Sequence, residues 1–234
     1  MDDQLVQNIK RLRSKDESVR LTAARRLGDL GPQAVEAVPA LVNTMEDADN
    51  EVALAACEAL KRIGSVSIPQ LLKFMGNTQE KEKFRWYAAE ALADLGPDSL
   101  PHLMQAMDDQ DLAVRMMAVD SLPRVGIVAE QAIPKLKELL RDDSNLSHSA
   151  VVSLAQIAAL QAKAGSQSPP ALNVLLEALK TGQPVLRGRI VAALEFMGDK
   201  IALALPALKE ATQDQDEEVR NNALWLLKKL KIEH

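Results

Sequence analysis

The chain has 234 residues, of which 47% are hydrophobic, 26% charged and 3% aromatic, with a net charge of −5. This composition excludes a disordered chain, and the acidic balance disfavours non-specific nucleic-acid binding, which requires excess Lys and Arg to neutralise phosphates. The chain has no run of about 18 apolar residues and no apolar signal sequence, and its one cysteine cannot form an intrachain disulfide. We therefore expect a cytoplasmic protein with no membrane segment.

Two alternating sequence patterns run along the chain. In the first, an apolar or small residue and a proline open a short apolar segment, and the prolines recur at intervals of 30, 32, 33, 36 and 36 residues. These prolines are Pro39, Pro69, Pro101, Pro134, Pro170 and Pro206. The second pattern, V-R-x-x-A-A-x-x-L-x-x-I/L-G, lies between them, at residues 18–31, 51–64, 84–96, 113–126, 146–158, 186–198 and 218–230. Two alternating segments at this period predict a repeat of two helices.

The V-R segments carry the residues that begin and end helices. Acidic and small polar residues precede most of them, as in KDES and EDADN, and suit helix N-caps and the positive end of the helix dipole. Glycine ends five of them, at Gly31, Gly64, Gly96, Gly126 and Gly198, where a left-handed C-cap is expected. When each segment is numbered from its valine, positions 1, 5, 6, 9 and 12 fall on one buried helical face, and positions 3, 7 and 11 face outward.

This pattern resembles HEAT repeats, specifically the short variety named after phycobilisome lyases, over nearly the whole chain. The resemblance implies an all-α fold, a right-handed α-solenoid (an α-α superhelix of the armadillo type) of about seven two-helix repeats. We expect a single domain over 1–234, with approximate repeats 1–31, 32–64, 65–96, 97–126, 127–165, 166–198 and 199–234. It further implies that the V-R helices line the concave side of the solenoid.

In the family, the arginine of the V-R pair bonds the aspartate of an inter-helix turn and joins neighbouring repeats. The arginines here are Arg20, Arg85, Arg115, Arg187 and Arg220, and the candidate aspartates are Asp16, Asp49, Asp111 and Asp216. Because Ala53 and Ser147 replace the arginine in repeats two and five, those joints should be weaker or held in another way.

Two places depart from the regular pattern. Pro123 lies at position 10 of its V-R segment, where it removes a backbone donor and predicts a kink or an early helix end. Residues 161–170, QAKAGSQSPP, form a longer polar segment that predicts an irregular loop, either as slack or as a contact loop.

No pattern in the sequence indicates catalysis. His102, His148 and His234 have no His or Cys neighbour at metal-ligand spacing, and the chain contains no His-Glu pair, P-loop or G-x-S-x-G motif. Cys57 occupies position 6, where a small core residue is expected. We predict no catalytic residue, no metal site and no cofactor.

Outward positions of four successive repeats instead suggest a binding surface. Position 3 carries Leu21, Leu54, Trp86 and Met116, which we call the apolar stripe, with Tyr87 and Met117 beside it at position 4. Position 7 carries Glu58, Glu90 and Asp120, which we call the acidic stripe. Trp, Tyr and Met are common at interfaces, and exposed apolar area usually marks an interaction site. These nine residues therefore predict binding of a helix or extended peptide with apolar and basic side chains.

Other interpretations remain open at this point. The apolar stripe could tilt into the seams between helices and serve packing, or it could form a homodimer. The protein could instead be a subunit of a bilin-lyase-like or other enzyme complex. Nucleic-acid binding is disfavoured, although Arg25, Arg62, Arg124 and Arg189 leave some positive charge. The leading hypothesis is a non-catalytic protein-binding scaffold.

Overall fold

The computed structural model describes residues 3–77, 81–141 and 145–231, and every regular element in these ranges is helical. The first helices of the repeats are α1 (Asp3–Arg11), α3 (Val38–Thr44), α5 (Ile68–Met75), α7 (Leu100–Ala106), α9 (Ile133–Leu139), α11 (Pro170–Thr181) and α13 (Leu205–Ala211). The second helices are α2 (Glu17–Asp29), α4 (Asn50–Ile63), α6 (Glu82–Asp94), α8 (Leu112–Val125), α10 (Asn145–Lys163), α12 (Pro184–Ala193) and α14 (Glu217–Lys229). The predicted all-α solenoid is confirmed.

The helices form two compact units, Met1–Val125 and Gly126–His234, and in the sequence the boundary falls where the fourth predicted repeat ends. In the first unit α2, α4, α6 and α8 pack successively against one another, and each also packs against the first helix of its own repeat. In the second unit α10 packs against α9, α11 and α12, and α12 packs against α14. Each unit therefore buries a continuous row of second helices.

Most of the caps that the sequence predicts are present. The carboxylates of Asp16, Asp49 and Asp216 accept hydrogen bonds from backbone N–H groups in the first turns of α2, α4 and α14. The five predicted C-terminal glycines all have positive φ. Gly64, for example, has φ 98° and ψ −163°, a conformation that a side chain would strain. Gly198, however, does not end its helix, because α12 ends at Ala193 and Gly198 lies inside the 3-10 segment Leu194–Ala204. Short 3-10 segments connect these glycines to the next proline-bearing helix.

Three of the V-R arginines, Arg20, Arg85 and Arg187, bond an aspartate of the next repeat, and for Arg20 and Arg187 it is not a predicted aspartate. Arg20 bonds both carboxylate oxygens of Asp47 at 2.6 and 2.8 Å, and Arg187 bonds Asp214 in the same way at 2.9 and 2.6 Å. Each of these aspartates lies two residues before an N-cap, Asp49 or Asp216, whose backbone N–H it also accepts. The prediction that Asp49 and Asp216 receive the arginines is therefore wrong.

Only Asp111, among the predicted aspartates, has both roles. Its carboxylate accepts from Nη2 of Arg85 at 2.6 Å and from the backbone N–H of Ala113 at 2.9 Å. The Arg85 side chain is buried and also donates from Nε to the carbonyl of Met75 at 2.7 Å. Arg115 and Arg220 donate to backbone carbonyls of their own turns. The repeat signature is thus structural at every arginine described.

The joint that lacks an arginine at Ala53 is held by other side chains. Lys61 of α4 bonds Asp94 of α6 at 3.0 Å, and Lys83 of α6 donates to the side-chain oxygen of Asn50 at 2.6 Å. These contacts connect the same two helices that an arginine would join elsewhere. The expectation of another means of attachment is met at this joint.

The structure settles part of what was expected at the two irregular places. Helix α8 continues through Pro123 to Val125, so it does not end early, and the alternative expectation, a kink at Pro123, stays a prediction. Helix α10 continues through Lys163, so only residues 164–169 connect it to α11. Gln161 is buried rather than in a loop, and its side-chain oxygen accepts the N–H of Ala171 at 3.1 Å in the first turn of α11. This glutamine fixes the start of the next repeat.

Candidate functional site

The candidate site is the face formed by α2, α4, α6 and α8 in the first unit. Leu54 of the apolar stripe is 50% exposed, whereas Leu21, Trp86 and Met116 are half-buried. The stripe therefore presents apolar surface to solvent and also contributes to packing. Of the two flanking residues, Tyr87 is half-buried, but Met117 is fully buried at 0% exposure. Met117 is a core residue, and its prediction as a binding residue is wrong.

The aromatic cluster that includes Trp86 divides between core and surface. Phe84 is buried, as expected for position 1, and its ring lies 6.2 Å from that of Tyr87 between centroids. The ammonium of Lys83 lies 5.6 Å from the centroid of Tyr87 and 5.7 Å from that of Phe84. Cation–π attraction and the bond from Lys83 to Asn50 hold Tyr87 at the seam between α4 and α6.

The acidic stripe is exposed at Glu58 and Glu90 and half-buried at Asp120. Glu58 accepts bonds from Lys61 at 2.6 Å and Arg62 at 3.3 Å, and Glu90 lies 3.1 Å from Arg124. Two of the three predicted acids are therefore neutralised within the chain. The acidic stripe is therefore less negative than the sequence alone suggests. A cationic partner would have to share these carboxylates with the lysine and arginines that already pair with them.

A third row of residues, at position 11, explains this neutralisation. Successive repeats carry Asp29, Arg62, Asp94 and Arg124, whose charges alternate in sign. Arg62 lies 2.8 Å from Asp29, and Arg124 lies 2.7 Å from Asp94. Lys61 connects the two pairs, because it bonds Asp94 at 3.0 Å and Glu58 at 2.6 Å, and Glu58 also pairs with Arg62. We call these residues, Asp29, Glu58, Lys61, Arg62, Asp94 and Arg124, the ion-pair chain. It has members on all four second helices, but its side chains are largely exposed, so each pair contributes little to stability.

The hydrogen bonds of the ion-pair chain change the acidity of its members. Bonds from Lys61 and Arg62 hold the pKa of Glu58 below its ordinary value despite partial desolvation. At Asp94, desolvation raises the pKa, but bonds from Arg124 and Lys61 outweigh it and leave the pKa lowered. The bond to Asp94 raises the pKa of Arg124. Glu58 and Asp94 therefore favour their ionised form more strongly than free carboxyl groups do.

A surface concavity of about 710 Å³ lies in the first unit, and of the apolar stripe only Leu54 lines it, whereas Leu21, Trp86 and Met116 lie outside its lining. Its apolar lining includes Leu54, Tyr87 and the small side chains Ala24, Ala55 and Ala91. Its acidic residues are Asp29, Glu51, Glu58, Glu90 and Asp94, and its basic residues are Arg25, Lys61, Arg62 and Arg124. Five acids against four bases give a nearly neutral surface with an apolar floor. Such a concavity accommodates side chains of a protein partner.

Cys57 also lines this concavity, but it is only 6% exposed. Burial raises the pKa of its thiol to about 12, so the thiolate is scarce at neutral pH. Because the thiolate is the reactive form, this cysteine is chemically inert in the folded protein.

The equivalent positions of the second unit have a different character. At position 3, His148 and Asn221 are exposed and Gly188 is buried, so no apolar stripe is present there. Trp225 at position 7 is 54% exposed, and Phe196 at position 11 is 52% exposed. The ammonium of Lys229 lies 4.8 Å from the ring centroid of Trp225 and also pairs with Glu195. Phe196 did not enter the sequence prediction, although reading position 11 along the repeats would have found it.

In the ranges that the structure describes, no group of His, Cys, Asp and Glu side chains could hold a metal ion. His102 and His148 are exposed, and His234 lies outside the described residues. In the part of the chain that the structure describes, no helix combines the length and apolar character that a membrane crossing requires.

Known HEAT repeats match residues 5–82, 68–155 and 153–228. The chain belongs to the HEAT-repeat family. This assignment agrees with the two-helix repeats, their caps and the arginine joints described above. A search of the curated proteins found none that matches the chain.

Several solved HEAT-like and armadillo structures resemble this HEAT-repeat protein in fold. The complex of CpcE and CpcF of phycocyanin lyase from Nostoc sp. PCC7120 is 24% identical, over 68% of this chain and 98% of that chain, with a TM-score of 0.49. A designed armadillo repeat protein in complex with the peptide (KR)4 is 24% identical, over 96% of this chain and 98% of that chain, with a TM-score of 0.38. Human deoxyhypusine hydroxylase is 21% identical, over 97% of this chain and 84% of that chain, with a TM-score of 0.42. At these values the similarity concerns the fold alone.

Proposed function

We propose that this HEAT-repeat protein is a non-catalytic scaffold that binds a helix or extended segment of a partner protein. The binding surface is the face of α2, α4, α6 and α8, with Leu21, Leu54, Trp86, Tyr87 and Met116 as its apolar contacts. The observation that carries the proposal is the half-exposed apolar stripe beside a concavity with an apolar floor. Apolar side chains that are partly exposed on four successive repeats are the feature that favours an interaction surface here.

The apolar contacts would supply most of the affinity. Leu54 lies at the edge of the concavity with half of its surface exposed, and Trp86 and Met116 present part of their side chains on the two following repeats. Burying such residues against a partner releases water from apolar surface, which is the dominant favourable term in protein association. Trp and Tyr are also the residue types over-represented among binding hot spots.

The charges would determine orientation more than affinity. Glu58, Glu90 and Asp120 can attract Lys or Arg from a partner, although Lys61 and Arg62 already pair with Glu58, and Arg124 already pairs with Glu90. A partner cation would therefore join existing ion pairs. Long-range attraction of a basic segment should be weak, and binding should change little between low and physiological salt. A nucleic-acid ligand would require a basic face, which this one is not.

Two exposed side chains of the first unit provide a matched test. Leu54 and Val66 are each 50% exposed, but Val66 lies in the 3-10 segment Ser65–Ser67, away from the apolar stripe. We expect Leu54→Glu to weaken binding of a protein retained by the wild type from a lysate, and Val66→Glu to leave it unchanged. Binding of the purified partner is measured by calorimetry, and circular dichroism verifies folding of both variants.

The double variant Trp86→Glu/Met116→Glu extends the test across α6 and α8. Loss of the same partner in a folded double variant would support the whole stripe as one surface. Equal binding by wild type, Leu54→Glu and the double variant would refute the proposal. If the retained partner is an enzyme subunit or a pigment-binding protein, the scaffold serves an enzyme complex, which is the second hypothesis that the sequence raises.

A further inference from the structure

Arg25 is the one basic residue at position 7 of the second helices of the first unit. The same position is Glu58 in α4, Glu90 in α6 and Asp120 in α8. The side chain of Arg25 is 64% exposed, and it lines the concavity together with Leu54. The charge of the face therefore changes sign between α2 and the helices that follow.

The other basic residues that line the concavity already have acidic partners close by. These pairs are Lys61 with Glu58 at 2.6 Å, Arg62 with Asp29 at 2.8 Å and Arg124 with Asp94 at 2.7 Å. Within the residues that the structure describes, Arg25 has one ion pair, with Glu51 at 3.9 Å, which is beyond hydrogen-bond distance. Because Glu51 is itself 74% exposed, this contact holds Arg25 only weakly.

The register of the ion pairs explains why Arg25 has no closer acid. The acids at position 7 pair with positions 10 and 11 of the same helix in α4, and with position 11 of the next helix in α6. For Arg25 these positions hold Gly28, Asp29 and Arg62. Gly28 is uncharged, Arg62 has the same charge as Arg25, and Asp29 already binds Arg62 at 2.8 Å. The guanidinium of Arg25 is therefore available to a carboxylate from outside the chain.

A carboxylate bound at Arg25 would lie beside apolar surface. Leu21 lies one turn before Arg25 on α2 and is half-buried, and Leu54 of α4 is half exposed in the same concavity. Apolar side chains of a partner that cover these leucines would also remove water from the guanidinium. A bidentate arginine–carboxylate pair is among the strongest polar contacts in proteins, and its geometry is specific.

The other end of the face has the opposite charge. At positions 7 and 11, α2 and α4 together carry two acids and two bases, whereas α6 and α8 carry three acids and one base. Helices that pack side by side lie about 10 Å apart, so Arg25 on α2 and Glu90 on α6 are roughly 20 Å apart. A bound helix covers this distance in about 13 residues, and an extended chain covers it in about six.

We infer that the segment bound by the first unit has opposite charges at its two ends, with an acidic side chain on Arg25 and basic side chains on α6 and α8. This inference rests on the proposed function and adds to it the chemical class of the partner. The occupant is an amphipathic segment of a protein whose acid and bases are separated by about 13 residues in a helix or about six in an extended chain. Arg25 thereby determines in which direction the segment lies across the face.

The test is selection of binders from a phage-displayed library of random 16-residue peptides on the full chain. Peptides selected on the wild type should combine apolar residues with an acid and with bases at one of these two separations. Arg25→Gln should abolish the enrichment of the acid, and Arg25→Glu should replace it with enrichment of Lys or Arg. Arg26→Gln is the matched control, because Arg26 is exposed next to Arg25 but does not line the concavity, and it should select the same peptides as the wild type.

Calorimetry on one peptide from the wild-type selection measures the size of the effect. Replacing its acid by the corresponding amide should raise the dissociation constant about tenfold for the wild type and less than about twofold for Arg25→Gln. Circular dichroism and thermal unfolding of Arg25→Gln should match the wild type, since Arg25 makes no side-chain hydrogen bond with the described residues.

The variant Leu54→Glu separates failure of this inference from failure of the proposed function. A library that yields no peptide whose binding requires Leu54 would overturn the proposed surface, and the inference with it. Peptides that require Leu54 but lack the acid, or that keep the acid when selected on Arg25→Gln, would overturn the inference alone.

Discussion

The buried arginine of α6 allows a quantitative prediction for the variant Arg85→Met. Arg85 is 6% exposed and donates to the Met75 carbonyl at 2.7 Å and to the Asp111 carboxylate at 2.6 Å. Hydrogen bonds that involve a charged group contribute about 1.5–3 kcal/mol each, and removing the donor leaves a buried carbonyl unsatisfied. The Asp111 side chain is 26% exposed, so water can replace the arginine there. We therefore expect the free energy of unfolding to fall by about 3 kcal/mol.

The following repeat supplies the control, because Arg115 occupies the same position of α8. It donates to the carbonyls of Asp109 and Gln110 at 2.7 and 2.9 Å, and these bonds are exposed to solvent. Arg115→Met should therefore lower the free energy of unfolding by no more than about 1 kcal/mol. Urea unfolding followed by circular dichroism measures both variants. The explanation would be refuted if both variants lost the same free energy of unfolding, or if Arg85→Met lost less than about 1 kcal/mol. Either result would mean that the buried bonds of Arg85 do not stabilise the protein more than exposed ones do.

Three further predictions concern stability and reactivity. The side-chain amide of Asn8 is buried, and neither of its polar atoms is hydrogen-bonded. Asn8→Leu should therefore raise the free energy of unfolding, measured by urea denaturation, by about 1–2 kcal/mol. A decrease would indicate that the amide has a hydrogen-bonding partner. Cys57 should react with a thiol reagent far more slowly in the folded protein than in denaturant, and equal rates would contradict its burial. Bonds from arginine lower the pKa values of Asp47 and Asp214. The stability that these ion pairs give the folded protein should therefore be complete above the ordinary aspartate pKa of about 3.9 and be lost as pH falls below it. Thermal unfolding should show Asp47→Asn to be less stable than wild type at neutral pH and equally stable at low pH.

The sequence pattern predicted the fold well because helix caps and apolar periodicity, which act locally, recur in repeat after repeat. A glycine with positive φ or an aspartate at an N-cap acts within one turn of chain, so its role can be read without knowing what packs against it. The burial of Phe84, Ala89 and Cys57 follows in the same way from helical periodicity.

The site was harder to predict because its properties depend on neighbouring repeats. Met117 lies beside an outward position in sequence, yet packing buries it completely. Glu58 and Glu90 look like free acids until Arg62 and Arg124 are placed next to them by helix stacking. The alternating charges of position 11 were visible in the sequence, but their pairing depends on distances that the sequence does not contain.

The turns before α4 and α14 have a consequence for the exchange of repeats. In each turn the first aspartate, Asp47 or Asp214, accepts hydrogen bonds from an arginine of the preceding repeat. It also accepts the backbone N–H of the second aspartate, Asp49 or Asp216. The second aspartate in turn caps the helix that follows it. One residue separates the two aspartates, so inserting or deleting a residue there would uncouple capping from attachment. A repeat transplanted behind Arg20 or Arg187 must therefore keep this spacing. A repeat transplanted behind Ala53 needs side chains such as Lys83 and Asp94, which make the connection there.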